Sequence, residues 1–382
     1  MNSFFMVLGI IFLLYAAANY YIALRFFQCL RNIIEPYSLF YWGGYTLFAV
    51  TKIVARVGRK NFPGIFNTRM TIFGDYWLAA SYYFFLVWVA VDLLRFLNKL
   101  LLPQFLLVPY PSMVLGFSVL FLVVALILYG NWNAKKTRIR KYELTVNKTA
   151  PGLSQLHIAM ISDIHLGVIV DKDRLETIIK QINALHPDII FLVGDTIDED
   201  VKFFIEEEMS VTLGKLHAPY GVFAVLGNHE YLGGESDLAA EHIGKSNIKL
   251  LRDEYLMINK QFYVVGRDDR SAKKANGKGR FPLYRVMQGI DHELPIILLD
   301  HQPYKLEEGQ RNRVDLQLSG HTHHGQFFPN NLIIQRVFEI DWGYLRKGAY
   351  QVIVSCGIGT WGPPIRIGNH PEIIDLLITF EK

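Results

Sequence analysis

The chain contains little cysteine and no charge near its start. Its 382 residues include two cysteines, Cys29 and Cys356, too few and too widely spaced for the disulfide framework of a small secreted domain. Residues 1–24 contain no Lys, Arg, Asp or Glu, so the basic leader that a secretory signal peptide requires is missing. We therefore expect a protein without disulfides, which suits a reducing compartment.

Long apolar runs occupy the first third of the chain. Hydrophobic residues make up 51% of the sequence and aromatic residues 14%, and the surplus lies before residue 135. Four stretches each supply the ~20 apolar residues that cross a bilayer, at about 4–27, 37–55, 76–97 and 108–132. We predict four transmembrane helices in a membrane domain at 1–134, followed by a basic linker and possible first strand at 135–155.

Basic residues predict the orientation of these helices. Lys and Arg are concentrated in the second connection, up to residue 69, and after the fourth stretch, at 135–141. In a chain with four spans these two segments lie on the same side, which the positive-inside rule assigns to the cytoplasm. We therefore expect a multi-pass protein of the cell (inner) membrane, with its N-terminus and its C-terminal domain, 156–382, in the cytoplasm.

The two parts of the chain differ in net charge. Residues 1–141 contain 14 Lys and Arg against three Asp and Glu, a net charge of +11. Residues 142–382 contain 25 against 32, a net charge of −7. An acidic domain has no overall positive field to attract long nucleic acid. The expected partner is the lipid bilayer, with no nucleic-acid partner.

The second part alternates between strand and helix patterns. Strands are predicted at 156–162, 188–193 and 221–226, with helices at 171–186, 201–216 and 236–245, which is typical of an α/β domain. After residue 247 the pattern changes to short strands, at 248–251, 255–258, 262–265, 351–355 and 373–379. We predict that these form a second sheet packed on the first.

Five apolar stretches of this domain end in Asp, Asn or His, residue types that commonly bind metals. Because α/β sheets bind ligands beyond the carboxyl ends of their strands, we expect these side chains to lie close together. Oxygen and imidazole ligands together suit Mn, Fe or Zn better than Ca, and a bridging carboxylate holds two ions about 3.5–4 Å apart. The side chains in question are Asp163, His165, Asp195, Asn228, His229, Asp300, His301, His321 and His323.

These endings, in this order, resemble the motifs of the calcineurin-like metallophosphoesterases: Asp-X-His, Gly-Asp, Gly-Asn-His-Asp/Glu, a later His, and Gly-His-X-His. The resemblance extends from about residue 156 to the C-terminus. It implies a two-sheet αββα sandwich, here preceded by four transmembrane α-helices. It also implies a metal-dependent hydrolase of phosphoric esters or pyrophosphates.

The resemblance further implies two divalent metal ions, taken as Mn²⁺ with Fe or Zn as alternatives, and a role for each motif residue. Asp195 would bridge the two ions, and His229 would be a catalytic residue that contacts the substrate phosphate. The remaining ligands would be Asp163, His165 and His323 for the first ion, and Asn228, His301 and His321 for the second.

Two further segments allow both a structural and a functional interpretation. Residues 357–368 are dense in Gly and Pro, and Arg366 there is either part of a rigid turn or a substrate-binding fork for phosphate. Residues 267–280 are polar and carry six Lys or Arg against two Asp. They are predicted to form a mobile surface loop, or to lie over the site and guide an anionic lipid head group.

Three functions remain open from the sequence. The membrane helices favour an amphiphilic phosphorylated substrate, and the UDP-2,3-diacylglucosamine pyrophosphatases are a cytoplasmic-face example in the family. Their soluble branch has Arg where His229 stands here, so the chain is more similar to the His-containing, membrane-anchored branch. One alternative is a tethered phosphatase or phosphodiesterase for a soluble nucleotide or phosphoprotein. The other is a non-enzymatic membrane binding module.

Overall fold

The chain divides into two units, Met1–Asn131 and Trp132–Lys382. The structure is a computed structural model that describes residues 2–58, 64–101, 111–277 and 279–381. The first unit is helical, and the strands of the described residues lie in the second. The helices of the first unit are Asn2–Cys29, Arg31–Ile34, Ser38–Gly58, Gly64–Leu101 and Met113–Ala134, the last continuing into the second unit.

Within the described residues, three helices are long and apolar enough to cross a membrane: Phe5–Cys29, Gly64–Leu101 and Met113–Ala134. Ser38–Gly58 is also a helix, where the second span was predicted. Because of its Gly, Tyr and Thr residues, together with Lys52 and Arg56, it has no stretch of 18 residues as apolar as those in the other three helices. Among the described residues, three of the four predicted spans therefore qualify as candidate membrane helices and the second does not. Residues 108–110 of the predicted fourth span lie outside the described residues.

Ion pairs connect the helices of the first unit. Lys52 Nζ lies 2.5 Å from Asp75 Oδ1, and Asp75 is buried. Arg25 Nη2 lies 2.6 Å from Asp92 Oδ2. A buried carboxylate is tolerated only with a partner, because the cost of desolvating an isolated charge is several kcal/mol. These charges therefore join Ser38–Gly58 and the first helix to Gly64–Leu101.

The second unit is built on two sheets. Among the described residues its twelve strands are β1 (Arg138–Val146), β2 (Gln155–Ile161), β3 (Ile189–Val193), β4 (Val222–Val225), β5 (Lys249–Leu250), β6 (Glu254–Ile258), β7 (Phe262–Gly266), β8 (Ile296–Leu299), β9 (Leu316–Ser319), β10 (Gly343–Lys347), β11 (Tyr350–Val354) and β12 (Glu372–Phe380). The first sheet has the order β1-β12-β2-β3-β4-β5, and the second has the order β10-β11-β9-β8-β7-β6.

The two sheets pack face to face because their strands alternate between two apolar faces. In β2, Leu156, Ile158 and Met160 lie in the core between the sheets, together with Phe262 and Val264 of β7. The intervening residues of each strand point the opposite way, as the two-residue period of a strand requires. They form the outer cores, one beneath each layer of helices. The predicted αββα sandwich is confirmed.

Helices cover the outer faces of both sheets. On the first sheet, Lys172–Asn183 begins at Asp171, whose carboxylate accepts a hydrogen bond from the Arg174 amide at 2.9 Å. This satisfies one of the free N–H groups at the helix start. The buried face of the helix is the predicted one, Leu175, Ile178, Ile179 and Ile182. The other helices of the unit are Val201–Glu206, Met209–Leu213, Asn228–Leu232, Ser236–Gly244, Ala272–Asn276, Leu283–Val286, Leu306–Arg311 and Asn330–Val337.

Two strands lie in a different sheet from the one that the sequence pattern predicted. β5 and β12 belong to the first sheet, although both were assigned to the second. β12 pairs in parallel with β1 and antiparallel with β2. β1, which lies in the predicted segment 135–155, is therefore an edge strand whose neighbour in the sheet is β12. Strand pattern alone does not specify partners, because any exposed edge offers the same backbone hydrogen bonds.

Candidate dinuclear metal centre

The predicted ligands meet because the strands that carry them run in parallel. β2, β3 and β4 are parallel neighbours in the first sheet, and β8 and β9 are parallel in the second. Each strand ends just before its ligand residues, so one end of the sandwich collects them all. The cross-sheet contact is direct, since the His301 ring, after β8, hydrogen bonds to the last carbonyl of β3.

The first group of side chains joins Asp163, His165 and His323. His165 Nε2 lies 3.0 Å from His323 Nε2, and His323 Nε2 lies 3.4 Å from Asp163 Oδ1. All three side chains are buried, and their ligand atoms lie within 4.8 Å of one another. Two imidazole nitrogens and a carboxylate at such distances form a set that can hold one divalent ion.

The second group joins Asp195, His301 and His321, with ligand atoms again within 4.8 Å of one another. His301 Nε2 lies 3.1 Å from Asp195 Oδ2. The other ring nitrogen, His301 Nδ1, donates to the Val193 carbonyl at 2.8 Å, which leaves Nε2 as the free ligand atom. Asp195 also lies 3.9 Å from His165 Nε2 of the first group, which is the position that a bridging carboxylate requires.

An unpaired amide oxygen marks the same place. Asn228 Oδ1 is buried and has no hydrogen-bond donor among the described residues. A buried oxygen without a partner costs about 1–3 kcal/mol, so a polar atom in this position is expected to have a ligand that is not a protein group. A cation fits this oxygen and the neighbouring imidazoles, and the residues present therefore fit two metal ions.

The turns that carry the ligands have unusual backbone conformations. Asp163, His165, Asp195, His321 and His323 all have positive φ, between +49° and +74°. Residues other than glycine rarely adopt positive φ, because this backbone conformation is strained. Such residues are typical of functional sites, where the surrounding structure holds the strained backbone in place. At Gly320 a β-carbon would overlap the Asp163 carboxylate, so glycine is required there by close approach.

His229 is held beside the metal ligands by Asp198. His229 Nδ1 lies 3.0 Å from Asp198 Oδ1, and the His229 amide donates to Asp195 Oδ1 at 2.9 Å. Burial acts to lower the pKa of His229, but the bond to Asp198 and the charge of Asp195 outweigh it and raise this pKa to about 9. With Nδ1 directed at Asp198, Nε2 is the ring atom left to contact a substrate.

The structure does not support the predicted substrate contact of Arg366. Its side chain is completely buried, and a group with no exposed surface does not reach a substrate. Instead it donates to the backbone carbonyls of Cys356, at 2.8 Å, and Gly359, at 2.7 Å. Its Nη2 also lies 3.4 Å from His323 Nδ1. Arg366 is therefore an internal support for the Gly- and Pro-rich segment and for one metal ligand.

The segment 267–280 also differs from the predicted mobile loop. Arg267 is buried, and its Nη1 lies 3.3 Å from Asp300 Oδ2 and 2.9 Å from Glu308 Oε2. Arg280 Nη1 lies 2.8 Å from the other oxygen of Asp300. Two of the six basic residues thus hold the residue before His301 in place. Lys278, which was counted in the predicted basic cluster, lies outside the described residues.

Several supporting residues were missed from the sequence. Asp198 follows Asp195 by three positions in the same turn, a spacing that could have identified it as the partner of His229. Glu230 accepts from the amides of Gly227, at 2.8 Å, and Ile197, at 2.9 Å, and so joins the turns after β4 and β3. Asn369, which donates to the His323 carbonyl at 2.9 Å, had no local signal because the fold alone brings it there.

The chain is similar in sequence to known metallophosphoesterases. The family model described as calcineurin-like phosphoesterase matches residues 156–325. An uncharacterised metallophosphoesterase of Aquifex aeolicus is 34% identical over 262 residues, covering 68% of this chain and 98% of the relative. A Danio rerio protein named as a transmembrane protein with metallophosphoesterase domain is 30% identical, covering 68% of this chain and 62% of the relative. A crystal structure of a dimetal phosphatase from Danio rerio has a TM-score of 0.36 and 16% identity, covering 59% of this chain and 98% of that one.

The chain belongs to the calcineurin-like metallophosphoesterase family and is a metal-dependent phosphoester hydrolase. The family binds two divalent metals. The buried Asp and His side chains of this chain form three overlapping groups that could hold a metal ion: Asp163, His165 and His323; His165, Asp195 and His229; and Asp195, His301 and His321. Helices long and apolar enough to cross a membrane precede the enzyme domain, as the name of the Danio rerio relative also indicates for that protein.

Proposed function

We propose that the protein hydrolyses a phosphoester or pyrophosphate bond of a lipid-linked substrate, using two Mn²⁺ ions, in the cell membrane. The bound ions would neutralise the phosphate charge and activate the attacking water. Asp163, His165 and His323 would hold one ion, Asn228, His301 and His321 would hold the other, and Asp195 would be shared by both. A UDP-diacylglucosamine-type precursor is an example of such a substrate.

His229 supplies the chemistry that the ions do not. Its ring lies against the first group, with centroids 4.5 Å from the His165 ring, and Asp198 fixes its orientation. Nε2 can therefore donate a proton or a hydrogen bond to the phosphoryl group or to the leaving oxygen. No nucleophilic side chain is required, because water is the attacking group.

The observation that carries the lipid proposal is an apolar surface beside the metal centre. The helix Asn330–Val337 directly follows the last ligand turn, and none of its residues is buried. It exposes Leu332 by 45%, Ile333 by 61% and Val337 by 54%. The turn and the helix touch, since a β-carbon at Gly325 would overlap the backbone of Asn331.

A second exposed apolar side chain flanks the catalytic histidine. Trp361 is 53% exposed, and its ring centroid lies 5.8 Å from that of His229. Covering an exposed apolar side chain stabilises a complex by roughly 1.5–3 kcal/mol when burial is complete. Acyl chains match exposed apolar groups beside a phosphate-hydrolysing site in a chain with membrane-length helices.

The location of the enzyme domain follows from the three candidate spans. The connection 30–63 contains five Lys or Arg, the segment 135–141 contains another five, and the connection 102–112 contains none. With three spans, the two basic segments lie on one side, and the positive-inside rule assigns that side to the cytoplasm. This distribution supports the proposed cytoplasmic location of the domain and, with three spans, an N-terminus on the opposite side.

Reporter fusions in a bacterial host test this topology. Alkaline phosphatase fused after Lys382 should be inactive, and a fluorescent protein there should fold and fluoresce. At the N-terminus, three spans predict an active alkaline phosphatase fusion, whereas four spans predict an inactive one. An active fusion after Lys382 would contradict the cytoplasmic location and with it the access to a cytoplasmic head group.

The metal chemistry is tested by Asp195→Asn. Because Asp195 contacts both ligand groups, this change should remove most bound metal and nearly all turnover of bis-p-nitrophenyl phosphate. Metal content is measured by mass spectrometry, and activation by Mn²⁺ is compared with Fe and Zn. Asp173→Asn, at an exposed helix start, is the matched control. Full activity of Asp195→Asn would contradict the assignment.

Substitutions on the exposed apolar surface test whether the substrate is lipid-linked. Ile333→Gln and Trp361→Ala should raise the Michaelis constant for UDP-2,3-diacylglucosamine and leave turnover of bis-p-nitrophenyl phosphate unchanged. Val211→Gln, a change at a residue that is 67% exposed in a helix of the first sheet, is the control. If both substrates respond equally, the spans are a plain anchor. The tethered phosphatase for a soluble nucleotide or phosphoprotein is then favoured.

A further inference from the structure

A second, basic cavity lies in the enzyme domain, separate from the metal ligands. Its volume is about 460 Å³, within the ~300–1,000 Å³ typical of small-molecule sites. None of the seven predicted metal ligands lines it. Its charged lining residues are Arg267, Arg270, Arg280, Lys305, Arg311 and Glu308.

Two of the five cations are already neutralised by carboxylates. Arg267 and Arg280 share the buried carboxylate of Asp300, and Arg267 also contacts Glu308 at 2.9 Å. Lys305 lies 3.9 Å from the same Glu308. Five cations against Asp300 and Glu308 leave a net charge of +3 around the cavity.

The other two arginines have no carboxylate partner in the described part of the chain. Arg270 stacks on Tyr304, with its guanidinium carbon 4.5 Å from the ring centroid, and this contact leaves its N–H donors available. Arg311 is exposed in the short helix Leu306–Arg311. Concentrated positive charge inside an acidic domain has no role in stabilising that domain, because like charges repel.

An unpaired donor lies on the cavity wall. Arg267 is 4% exposed, yet its Nε has no hydrogen-bond acceptor among the described residues. A buried charged donor without a partner is costly, so an acceptor is expected to come from outside the chain. Guanidinium groups match the geometry of phosphate oxygens, to which they donate two hydrogen bonds side by side.

We propose that this cavity is a binding site for a phosphate-bearing anion, distinct from the dinuclear centre. Arg270 and Arg311 are its free donors, and Arg267 and Arg280 form its floor. Tyr284, at the rim, is 70% exposed and offers an aromatic surface to the organic part of a phosphate ester. The proposal holds whether or not the substrate of the metal centre is lipid-linked.

The site also adjoins the metal centre through one residue. Asp300 accepts from both floor arginines, and the next residue, His301, is a predicted ligand. The Asp300 amide is tied to the Leu318 carbonyl at 3.2 Å, so the whole turn is held from both sides. An anion in the cavity would therefore bind behind His301 without contact with the metals.

Phosphate binding to the full-length, metal-loaded protein in detergent tests the proposal. Equilibrium dialysis with labelled inorganic phosphate should give two classes of site. The double variant Arg270→Ala, Arg311→Ala should weaken one class by about tenfold for each side chain removed, the effect of one lost charged hydrogen bond. Turnover of bis-p-nitrophenyl phosphate, which reports on the metal centre alone, should change less than about twofold.

A matched double variant controls for the change in net charge. Arg285→Ala, Arg313→Ala removes two exposed arginines that do not line the cavity and should bind phosphate as the wild type does. Wild-type binding of phosphate, in every class of site, by Arg270→Ala, Arg311→Ala would overturn the proposal.

A competition arm identifies the source of the phosphate. Dihexanoyl phosphatidic acid, a soluble phospholipid, is titrated against labelled phosphate at the site that the double variant removes. Displacement supports a lipid phosphate monoester as the ligand, and lack of displacement supports free phosphate. A failure of the metal-centre assignment would appear in the Asp195→Asn data instead, so the two proposals are tested separately.

Discussion

Replacing Arg366 with Met is expected to destabilise the enzyme domain rather than to impair substrate binding. Met fills much of the volume of the side chain but offers no donors. Arg366 now donates to the carbonyls of Cys356 and Gly359, and neither has another donor among the described residues. A third acceptor, the Gly357 carbonyl, keeps the Glu372 amide at 3.1 Å and is not left unpaired.

Two unpaired buried carbonyls set the size of the effect. Each costs about 1–3 kcal/mol, so the free energy of unfolding should fall by roughly 2–6 kcal/mol. That is a large part of the ~5–15 kcal/mol by which a typical domain is stable. For a domain of this size the loss corresponds to a decrease in Tm of roughly 4–24 °C.

The assay is thermal unfolding of the full chain in detergent, together with metal content. Arg366→Lys should behave similarly to Arg366→Met, since one ammonium group does not reproduce the planar set of N–H donors of the guanidinium group. Arg313→Met is the control, because its exposed pair with Glu293 is worth about 0–1 kcal/mol. Wild-type Tm and metal content in Arg366→Met, combined with a raised Michaelis constant, would refute this reasoning and restore a substrate contact.

Three further changes test other parts of the site. His229→Ala should lower turnover about 10²–10⁴-fold with both metals retained by mass spectrometry; loss of one metal equivalent would instead make His229 a ligand. Gly320→Ala should lower metal content, because a β-carbon there overlaps the Asp163 carboxylate, and full occupancy would contradict that constraint. Burial and the nearby Glu372 raise the pKa of Cys356, so its thiol should stay protonated at pH 8. Alkylation of Cys356 by iodoacetamide should therefore be slow in the folded protein and fast in urea. Rapid alkylation in the folded protein would contradict this.

The sequence predicted which side chains the fold brings together, because each follows a local strand pattern; their role as metal ligands stays a prediction. Asp195 and Asn228 directly follow short apolar strands, and parallel strands bring such positions to the same edge. Arg366 could not be interpreted in the same way. Its partners, at 356–359, are near in sequence, but only the folded segment shows that their carbonyls turn inward towards the guanidinium group.

The differences from the predicted fold have separate physical causes. Ser38–Gly58 is a helix of spanning length, but Lys52 and Arg56 lower its hydropathy, which is a local feature of the sequence. β5 and β12 are short or partly alternating strands, whose pattern specifies a buried face but not a sheet. For these two strands the choice of sheet depends on contacts far away in sequence.

The position of β1 has a consequence for how the domain folds during synthesis. β1 leaves the ribosome directly after the last membrane-length helix, yet its neighbour in the sheet is β12, from the opposite end of the domain. The first sheet therefore stays open at one edge until β12 emerges. Closing so long a loop is slow, and the open edge of β2 can pair wrongly with other chains in the meantime. Nascent chains crowded on one membrane surface would be most exposed to that hazard, so translation rate and chaperone supply should limit the yield of this protein more than the stability of its finished fold.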